Sequence, residues 1–332
     1  MLHSLETTVS RLVPVPLQVR QSIAELPRTI LAHDAFMATL PCMNSVETGG
    51  QPRASVLEFP FSIAAWNVER CLFPVEAAEK LRQTGADIVL LSEMDCGMAR
   101  TAQRHTTADV AAELGMAYAF GVEFLELGLG SDTEISFCTE AENRDGFHGN
   151  AVLATAGLQQ VFMVRLPGQR FWFCNSSDQP RLGERMAIGS VLATSQGPLL
   201  VVSTHLESNS DALGRAAQMR HLVDVVDARF PGLPVVIGGD LNSGNHIGGD
   251  WRDEVFFAEL AERGFQTHGG PPDQITTRPS LVTRWPERLM KLDWFLTRGF
   301  RVGATRIVPA INADGKPLSD HELIVTDVLG LA

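Results

Sequence analysis

The sequence predicts an α+β fold, a four-layer α/β/β/α sandwich of two mainly antiparallel sheets flanked by helices. Short β-like runs follow one another from Ser62 onward, and only a few segments space their apolar residues as a helix does. A doubly wound parallel sheet would need a helix between most successive strands, so many strands with few helices favour stacked sheets. The chain has 332 residues, of which 45% are hydrophobic, and this is enough for one large core that the strands share.

Local patterns assign the individual elements. The predicted strands are Ser62–Asn67, Asp87–Ser92, Ala117–Phe124, Asn150–Ala154, Val161–Arg165, Phe171–Asn175, Ala187–Thr194, Leu199–His205, Leu233–Gly238, Leu292–Leu296 and Leu323–Val328. The predicted helices are Val75–Thr84, Thr107–Leu114, Asp211–Val226 and Asp253–Arg263. In the third of these helices, one face consists of Ala212, Ala216, Met219, Val223 and Val226.

Residues 1–57 differ from the rest of the chain. They contain several prolines and the Gly49-Gly50 pair, and they show no strand pattern. Apolar residues recur at helical spacing in Gln18–Glu25 and Leu31–Thr39, which predicts two short helices. We therefore divide the chain into an N-terminal extension of unknown role, residues 1–57, and a single main domain, residues 58–332.

The composition argues against some classes of function. The net charge of −12 disfavours a surface that grips duplex nucleic acid, because neutralising phosphates requires basic patches. One basic stretch, which either faces a phosphate or lies in a solvated loop, consists of Arg278, Arg284, Arg288 and Lys291. No apolar run is long enough for a membrane span and no secretion signal is present, so we expect a cytoplasmic protein. No signal in the sequence fixes the oligomeric state.

Polar residues follow hydrophobic strands at five places, where an apolar run anchors the backbone and a polar side chain emerges at the rim. Any one of them alone is typical of a turn or a solvated residue. Together, and combined with the sequence Leu318-Ser319-Asp320-His321 near the end, they indicate a functional site. The residues that follow the strands are Asn67, Glu93, His205, the pair Asp240 and Asn242, and Asp293.

The residue types indicate metal-assisted hydrolysis of a phosphoester. Oxygen ligands such as Glu93, Asn67 and Asp320 suit a hard cation, Mg²⁺ or Mn²⁺, rather than zinc. Such an ion polarises a phosphoryl oxygen and neutralises developing charge. His321 suits the role of general base because imidazole titrates near neutrality, and a carboxylate such as Asp293 would fix its tautomer.

The same residues resemble the endonuclease/exonuclease/phosphatase superfamily, whose motifs occur here in the family's order between about Ser62 and Val328. The resemblance implies that residues 58–332 form the catalytic domain and that the enzyme depends on a divalent metal. The matching motifs are Trp66-Asn67, Asp87–Glu93, His148–Leu153, Thr204–Leu206, Gly239–Asn242, Leu292–Phe295 and Ser319–His321.

Roles for individual residues follow from this resemblance. It implies that Glu93 is the main metal ligand, with Asn67 and Asp320 close to the ion or its waters. The base would be His321, paired with Asp293.

The resemblance also implies a set of phosphate contacts. Asp240 and Asn242 would position the attacking water and the phosphate, and His205 would donate a hydrogen bond to a phosphoryl oxygen. In the H-G-N-A element, His148 and Asn150 would border the phosphate.

Two arginine-containing segments outside these motifs are further candidates. Arg185 lies where relatives often have an arginine, and it either contacts the phosphate or is a surface residue. The segment Gly97–His105 follows the strand of Glu93, and it either recognises an anionic group of the substrate or forms a solvated loop. Its candidate side chains are Arg100, Arg104 and His105.

Three functions are compatible with these residues. The first is a phosphodiesterase or phosphatase that depends on Mg²⁺ or Mn²⁺ and acts on a small or lipid-derived phosphoester, which the acidic charge favours. The second is a metal-dependent nuclease acting on DNA or RNA, because one chemical centre serves many substrates on this fold. The third is a non-catalytic binding protein, which the complete set of candidate residues disfavours.

Overall fold

A computed structural model describes residues 3–175, 180–245, 249–283, 286–287 and 289–332. It confirms the predicted sandwich, in which two mixed sheets pack face to face between layers of helices. No helix within these ranges is long and apolar enough to cross a membrane.

The strands and helices have the following bounds. The strands are β1 (Thr8–Val9), β2 (Val46–Gly50), β3 (Phe61–Arg70), β4 (Ile88–Cys96), β5 (Ala117–Glu126), β6 (Phe147–Ala154), β7 (Gln159–Arg165), β8 (Arg181–Gly183), β9 (Met186–Thr194), β10 (Gly197–His205), β11 (Val235–Asp240), β12 (Gln266–His268), β13 (Asp293–Arg298), β14 (Phe300–Val308) and β15 (Leu323–Leu331). The α-helices are α1 (Leu17–Ala24), α2 (Ile30–Met37), α3 (Pro74–Thr84), α4 (Thr106–Leu114), α5 (Asp132–Ile135), α6 (Phe171–Cys174), α7 (Ala212–Arg229) and α8 (Val255–Glu262).

Each sheet has a parallel pair of strands near its centre. The first sheet has the order β1-β2-β5-β6-β4-β3-β15-β14, with β8 also paired to β5, and its central parallel pair is β3 and β4. The second sheet has the order β12-β13-β11-β10-β9-β7, and its parallel pair is β10 and β11. Because parallel strands end at the same edge of a sheet, the polar residues at their carboxyl ends are brought together there.

Three apolar layers hold the sandwich together. Between the sheets pack fully buried residues such as Leu90, Val201 and Phe295. The outer face of the first sheet is covered by α3 and α4, and that of the second sheet by α7 and α8. This inter-sheet packing fixes how closely the strand ends of one sheet approach those of the other.

All six predicted helices are present within a few residues of their expected bounds, but two other expectations are wrong. The segment Phe171–Asn175 contains the short helix α6 instead of a strand, because Phe173 is buried against α2 and this packing overrides the strand propensity of aromatic residues. Residues 1–57 do contain strands. Val46–Gly50 has few strand-forming residues, yet it pairs along β5 and buries Val46 completely.

Gly149 offers a test of the packing of the first sheet. A Cβ atom at this position would overlap the carbonyl oxygen of Gly121 on β5, so we expect Gly149→Ala to lower the free energy of unfolding by about 1–3 kcal/mol. The control is Gly157→Ala, where a Cβ meets no atom within 4 Å and the expected change is below about 0.5 kcal/mol. Urea denaturation measures both values, and equal stabilities of the two variants would contradict the packing described here.

Candidate active site

The carboxyl ends of the two central parallel pairs meet at a cavity of about 560 Å³. It collects side chains from both sheets and from the loops between them. The predicted residues that line it are Glu93, His148, Arg185, His205, Asp240, Asn242, Asp320 and His321. Asn67 and Asp293 are buried and bonded to these lining residues. Asn150 is buried away from the lining and donates a hydrogen bond to the carbonyl oxygen of Met186 at 3.1 Å.

Asn67 joins the two sheets at the base of the cavity. Its Nδ2 donates to Oε1 of Glu93 on the first sheet and to Oδ2 of Asp240 on the second, both at 3.1 Å. The same oxygen of Asp240 lies 3.2 Å from Nε2 of His205. These four residues, one each from β3, β4, β10 and β11, therefore form one connected polar group.

Bulges in β3 and β4 direct these side chains into the cavity. Glu93 has a φ of 59°, and the pairing register of β4 with β6 shifts there, so its side chain is 18% exposed between the buried Ser92 and Met94. Glu69 and Arg70 also have positive φ values, 44° and 75°, beside a register shift in β3. Non-glycine residues in this conformation store strain, which is common where a strand re-aims a functional side chain.

His321 and Asp293 form a buried pair. Nδ1 of His321 lies 2.9 Å from Oδ2 of Asp293, and its Nε2 lies 3.6 Å from Oδ2 of Asp240. The backbone of His321 is fixed as well, because its carbonyl oxygen accepts a 2.9 Å hydrogen bond from Nε1 of Trp66. Burial disfavours the imidazolium, but the two carboxylates outweigh it and raise the pKa of His321 well above its usual value.

Asp240 is held in its charged form. Burial would raise the pKa of its carboxyl group, but His321 and His205 on either side keep that pKa well below the usual range. The ligand atoms of Asp240, Asp293 and His321 lie within 4.8 Å of one another, a spacing that also suits a metal ion. We interpret the group as an acid–base constellation, because Asp293 and His321 are already hydrogen-bonded to each other.

Glu69 and Asp320 form a second acidic group, and Asp320 lines the cavity together with Glu93. Burial and the nearby charge of Asp320 raise the pKa of Glu69 well above its usual value, and burial raises the pKa of Asp320. Buried carboxylates that repel one another are stabilised by a hard cation with oxygen ligands. The cavity residues suited to hold a hard cation are Glu93, Asn67 and Asp320. Sequence reasoning did not single out Glu69, a buried neighbour of Asp320 that lies two residues beyond Asn67 in the same strand.

A network of buried ion pairs is connected to Glu93 through Arg70. Arg100 has no exposed side-chain surface, and it contacts both carboxylate oxygens of Asp95 at 2.8 Å and those of Glu126 at 2.8 and 3.1 Å. Arg70 links the network to the cavity, because it pairs with Glu134 at 2.7 Å and also with Glu93.

The predicted role of segment Gly97–His105 in recognising an anionic group is not supported by these positions. Arg100 is enclosed by carboxylates, Arg104 pairs with Asp109 at 2.6 Å, and His105 pairs with Glu47 at 2.8 Å. None of the three lines the cavity. The position of this segment directly after the strand of Glu93 did not reveal that the side chain of Arg100 is buried.

His148 lines the cavity and is hydrogen-bonded to the same network. Its Nδ1 lies 2.9 Å from Oδ1 of Asp95, and burial lowers the pKa of the ring to about 4. The neutral ring therefore donates its Nδ1 hydrogen to Asp95.

Arginines and a tryptophan line another side of the cavity. We call this set the basic wall, and it consists of Trp172, Arg181 and Arg185. The guanidinium of Arg181 lies 4.7 Å from the ring of Trp172. Nη1 of Arg185 lies 2.9 Å from Nδ1 of His205, so Arg185 is a buried cavity residue rather than a surface arginine.

The basic stretch of the sequence is divided by the fold. Lys291 is buried, and its Nζ donates to the carbonyl oxygens of Gly269, Pro271 and Gln274 at 2.5, 3.0 and 3.1 Å, so it stabilises a loop and does not face the cavity. Arg278 lines the cavity. Arg284 and Arg288 lie outside the described residues.

Comparison with known proteins points to one family. The sequence model of the Endonuclease/Exonuclease/phosphatase family matches residues 64–321. No curated protein has a sequence that matches this chain.

Solved structures share the fold at low sequence identity. An endonuclease/exonuclease/phosphatase from Beutenbergia cavernae DSM 12333 has 19% identity and a TM-score of 0.58, over 82% of this chain and 72% of that one. The human Nocturnin catalytic domain with bound sulfate anion has 16% identity and a TM-score of 0.56, over 85% and 96% of the two chains. Truncated Caenorhabditis elegans TDP2 has 17% identity and a TM-score of 0.51, over 82% and 98%.

Replacing Arg100 tests the buried network. Because Arg100→Met leaves buried carboxylates without their partner, we expect it to lower the free energy of unfolding by about 3–5 kcal/mol at pH 7. Arg104→Met is the control, since its ion pair is half exposed and the expected loss is below about 1 kcal/mol.

The loss caused by Arg100→Met should also depend on pH. Burial opposes the charged form of Glu126, but Arg100 outweighs it and lowers the pKa of Glu126 from 4.5 to about 2. A depressed pKa gives stability that is present above pH 4.5 and is lost as the pH falls toward 2. The difference between wild type and variant in urea denaturation should therefore shrink between pH 5 and pH 3. A difference that stays constant would contradict the pairing.

Proposed function

The chain belongs to the Endonuclease/Exonuclease/phosphatase family, and from this premise we propose that it is a divalent-metal-dependent hydrolase of a small or lipid-derived phosphoester. The observation that carries the proposal is the cavity that places the His321–Asp293 pair opposite Glu93, with Asp240 and Asn67 between them. One side offers a proton acceptor, and the other offers oxygen ligands.

His321 acts as the general base in this proposal. Asp293 accepts the hydrogen of Nδ1, so Nε2 is left on the side of Asp240, where a water attacking phosphorus loses its proton. Asp293 and Asp240 raise the pKa of the ring, and a divalent cation held in the cavity would oppose these carboxylates and favour the neutral, basic form.

Asp240 and its neighbours position the water and the phosphate. Asp240 Oδ2 lies within reach of both His205 and His321, and its Oδ1 accepts a 2.8 Å hydrogen bond from the backbone N–H of Asn242. Asn242 fixes this turn by donating its Nδ2 to the carbonyl oxygen of Leu206 at 2.9 Å. His205 and Arg185, which contact each other at 2.9 Å, both line the cavity, and in this proposal they bind the phosphoryl oxygens, whose charge the guanidinium stabilises.

Glu93, Asn67 and Asp320 would hold the metal ion in this proposal. Bound Mg²⁺ or Mn²⁺ would supply Lewis acidity that polarises a phosphoryl oxygen. Arg70 shares Glu93 with this site and keeps its carboxylate directed toward the cavity. The donor set of carboxylate and amide oxygens supports a hard cation over a softer one.

The size of the cavity supports a small substrate. Its volume of about 560 Å³ falls within the range of roughly 300–1,000 Å³ that is typical of small-molecule sites. The test is hydrolysis of bis(p-nitrophenyl) phosphate, p-nitrophenyl phosphate and plasmid DNA with Mg²⁺, Mn²⁺ or EDTA. Metal-dependent turnover of the small esters without DNA cleavage supports the proposal, DNA cleavage favours the nuclease instead, and no turnover of any of them contradicts the proposal.

Substitution of His321 tests the base. His321→Ala should lower kcat for the ester by at least about 100-fold, because the attacking water loses its proton acceptor. His221→Ala on α7 is the control and should retain turnover, since His221 does not line the cavity. Wild-type kcat in His321→Ala would show that another residue is the base.

Substitution of Glu93 tests the metal site. Glu93→Gln should raise the Mg²⁺ or Mn²⁺ concentration required for half-maximal turnover by at least about tenfold, because an amide is a poorer ligand for a hard cation than a carboxylate. Isothermal titration calorimetry with Mn²⁺ should show the same weakening without substrate. The exposed Glu76→Gln serves as control, and an unchanged metal affinity in Glu93→Gln would refute the assignment of this ligand.

A further inference from the structure

Two side chains of the N-terminal extension, which we also call the N-terminal segment, contact the elements that carry the basic wall. The wall, Trp172, Arg181 and Arg185, belongs to two short elements, α6 and β8. We propose that His33, together with Asp34, positions the basic wall and so sets the affinity of the cavity for its anionic substrate. The inference rests on the proposed function and assigns to the N-terminal segment a part in substrate binding.

His33 holds the strand that carries the wall arginines. It is fully buried, and its Nε2 lies 3.0 Å from both the backbone nitrogen and the carbonyl oxygen of Gly183, so that in the neutral ring protonated at Nδ1 it accepts from the N–H of Gly183. Its Nδ1 donates to Oδ1 of Asp34 at 2.8 Å, an assignment that requires a neutral ring. Burial lowers the pKa of His33 and favours that neutral form. Gly183 lies between Arg181 and Arg185, so the bond fixes the backbone at the centre of the wall.

The opposite side of Gly183 is closed as well. A Cβ atom at this position would overlap the carbonyl oxygen of Glu123 on β5, which leaves the backbone of Gly183 enclosed between β5 and His33. The position of this enclosed backbone determines the point from which the side chain of Arg185 extends. From there its Nη1 reaches Oε2 of Glu123 at 3.3 Å and Nδ1 of His205 at 2.9 Å.

The same N-terminal residues hold α6. Asp34 accepts two hydrogen bonds from Arg170, at 2.8 Å from Nε and 3.0 Å from Nη2, directly before α6. The ring of His33 packs edge-on against the ring of Phe173, with 5.3 Å between the ring centres. The guanidinium of Arg28 lies 4.9 Å from the ring of Phe173. These contacts lie on both sides of Trp172 in the chain and direct it toward the cavity.

Neither element is long enough to fix its own position. The helix α6 has 4 residues, and β8 has 3 residues that pair only with β5 among the described strands. An isolated helical turn is unstable without tertiary contacts. Support from His33 and Asp34 therefore converts two weak elements into a fixed wall, and this lowers the cost of ordering the arginines when an anion binds.

Steady-state kinetics of His33 variants test the inference. With the ester that wild type hydrolyses fastest, His33→Ala should raise KM by at least about fivefold and change kcat by less than about threefold, because the loss is in binding. His33→Gln should give an intermediate KM, since its side-chain oxygen can accept the bond from Gly183. It also provides a second variant if His33→Ala fails to fold.

The matched control is His105→Ala. His105 also ties the N-terminal segment to the main body, through its 2.8 Å contact with Glu47, but it does not line or support the cavity. It should leave KM within about twofold of wild type at temperatures well below the melting point of each variant. An unchanged KM in both His33 variants, or an equal rise in His105→Ala, would overturn the inference.

A binding measurement separates this inference from the proposed function. If wild type hydrolyses no ester, the proposed function fails, and the affinity for inorganic phosphate by isothermal titration calorimetry decides the inference. A Kd that is at least about fivefold weaker in His33→Ala supports it, and equal values in wild type and variant refute it. Faster hydrogen exchange at the amide of Gly183 in the variant is the accompanying structural signature.

Discussion

The hydrogen bonds of the Asn67 amide are the interaction on which the site depends. A single Nδ2 group bonds to one carboxylate from each sheet, Glu93 and Asp240, at a place where the two acids would otherwise repel each other. An amide fits here because it supplies two donors without adding charge. The bond geometry in turn requires the two sheets to keep their relative position, which the apolar layer between them enforces.

Much of this arrangement was predictable from the sequence because it follows from strand ends. His205 and Asp240 end the parallel strands β10 and β11, and Asn67 and Glu93 lie near the ends of the parallel strands β3 and β4, so parallel pairing brings these four residues together. Asp293 begins the antiparallel strand β13, where it pairs with Asp240. The bulge at Glu93 was not predictable, since its left-handed backbone is imposed by neighbouring strands and not by a glycine. Arg100 was placed in the wrong environment for a related reason, because an arginine is usually exposed and only tertiary carboxylates make its burial favourable.

The cavity brings charges of both signs together. The chain as a whole is acidic, with a net charge of −12, yet arginines line the cavity together with carboxylates. Charges within such a cavity interact strongly, because the low polarisability of the protein screens them less than water does. Arg70 lies at the boundary, since it pairs with Glu93 on the cavity side and with Glu134 in the buried network. The carboxylate of Glu93 is thus coupled through Arg70 to charges that do not line the cavity.

The pairing of β2 along β5 has a consequence for how the chain stays soluble during folding. Gly50 to Val46 pair with Ala117 to Gly121, and Arg181 to Gly183 continue along the same edge of β5. Without β2, a five-residue stretch of this edge would present unpaired N–H and C=O groups flanked by apolar side chains, which is the template for edge-to-edge association. A chain shortened to the region that matches the family, residues 64–321, would expose that edge and tend to aggregate, so the amino-terminal residues act as a protective cover that the bounds of the match do not reveal.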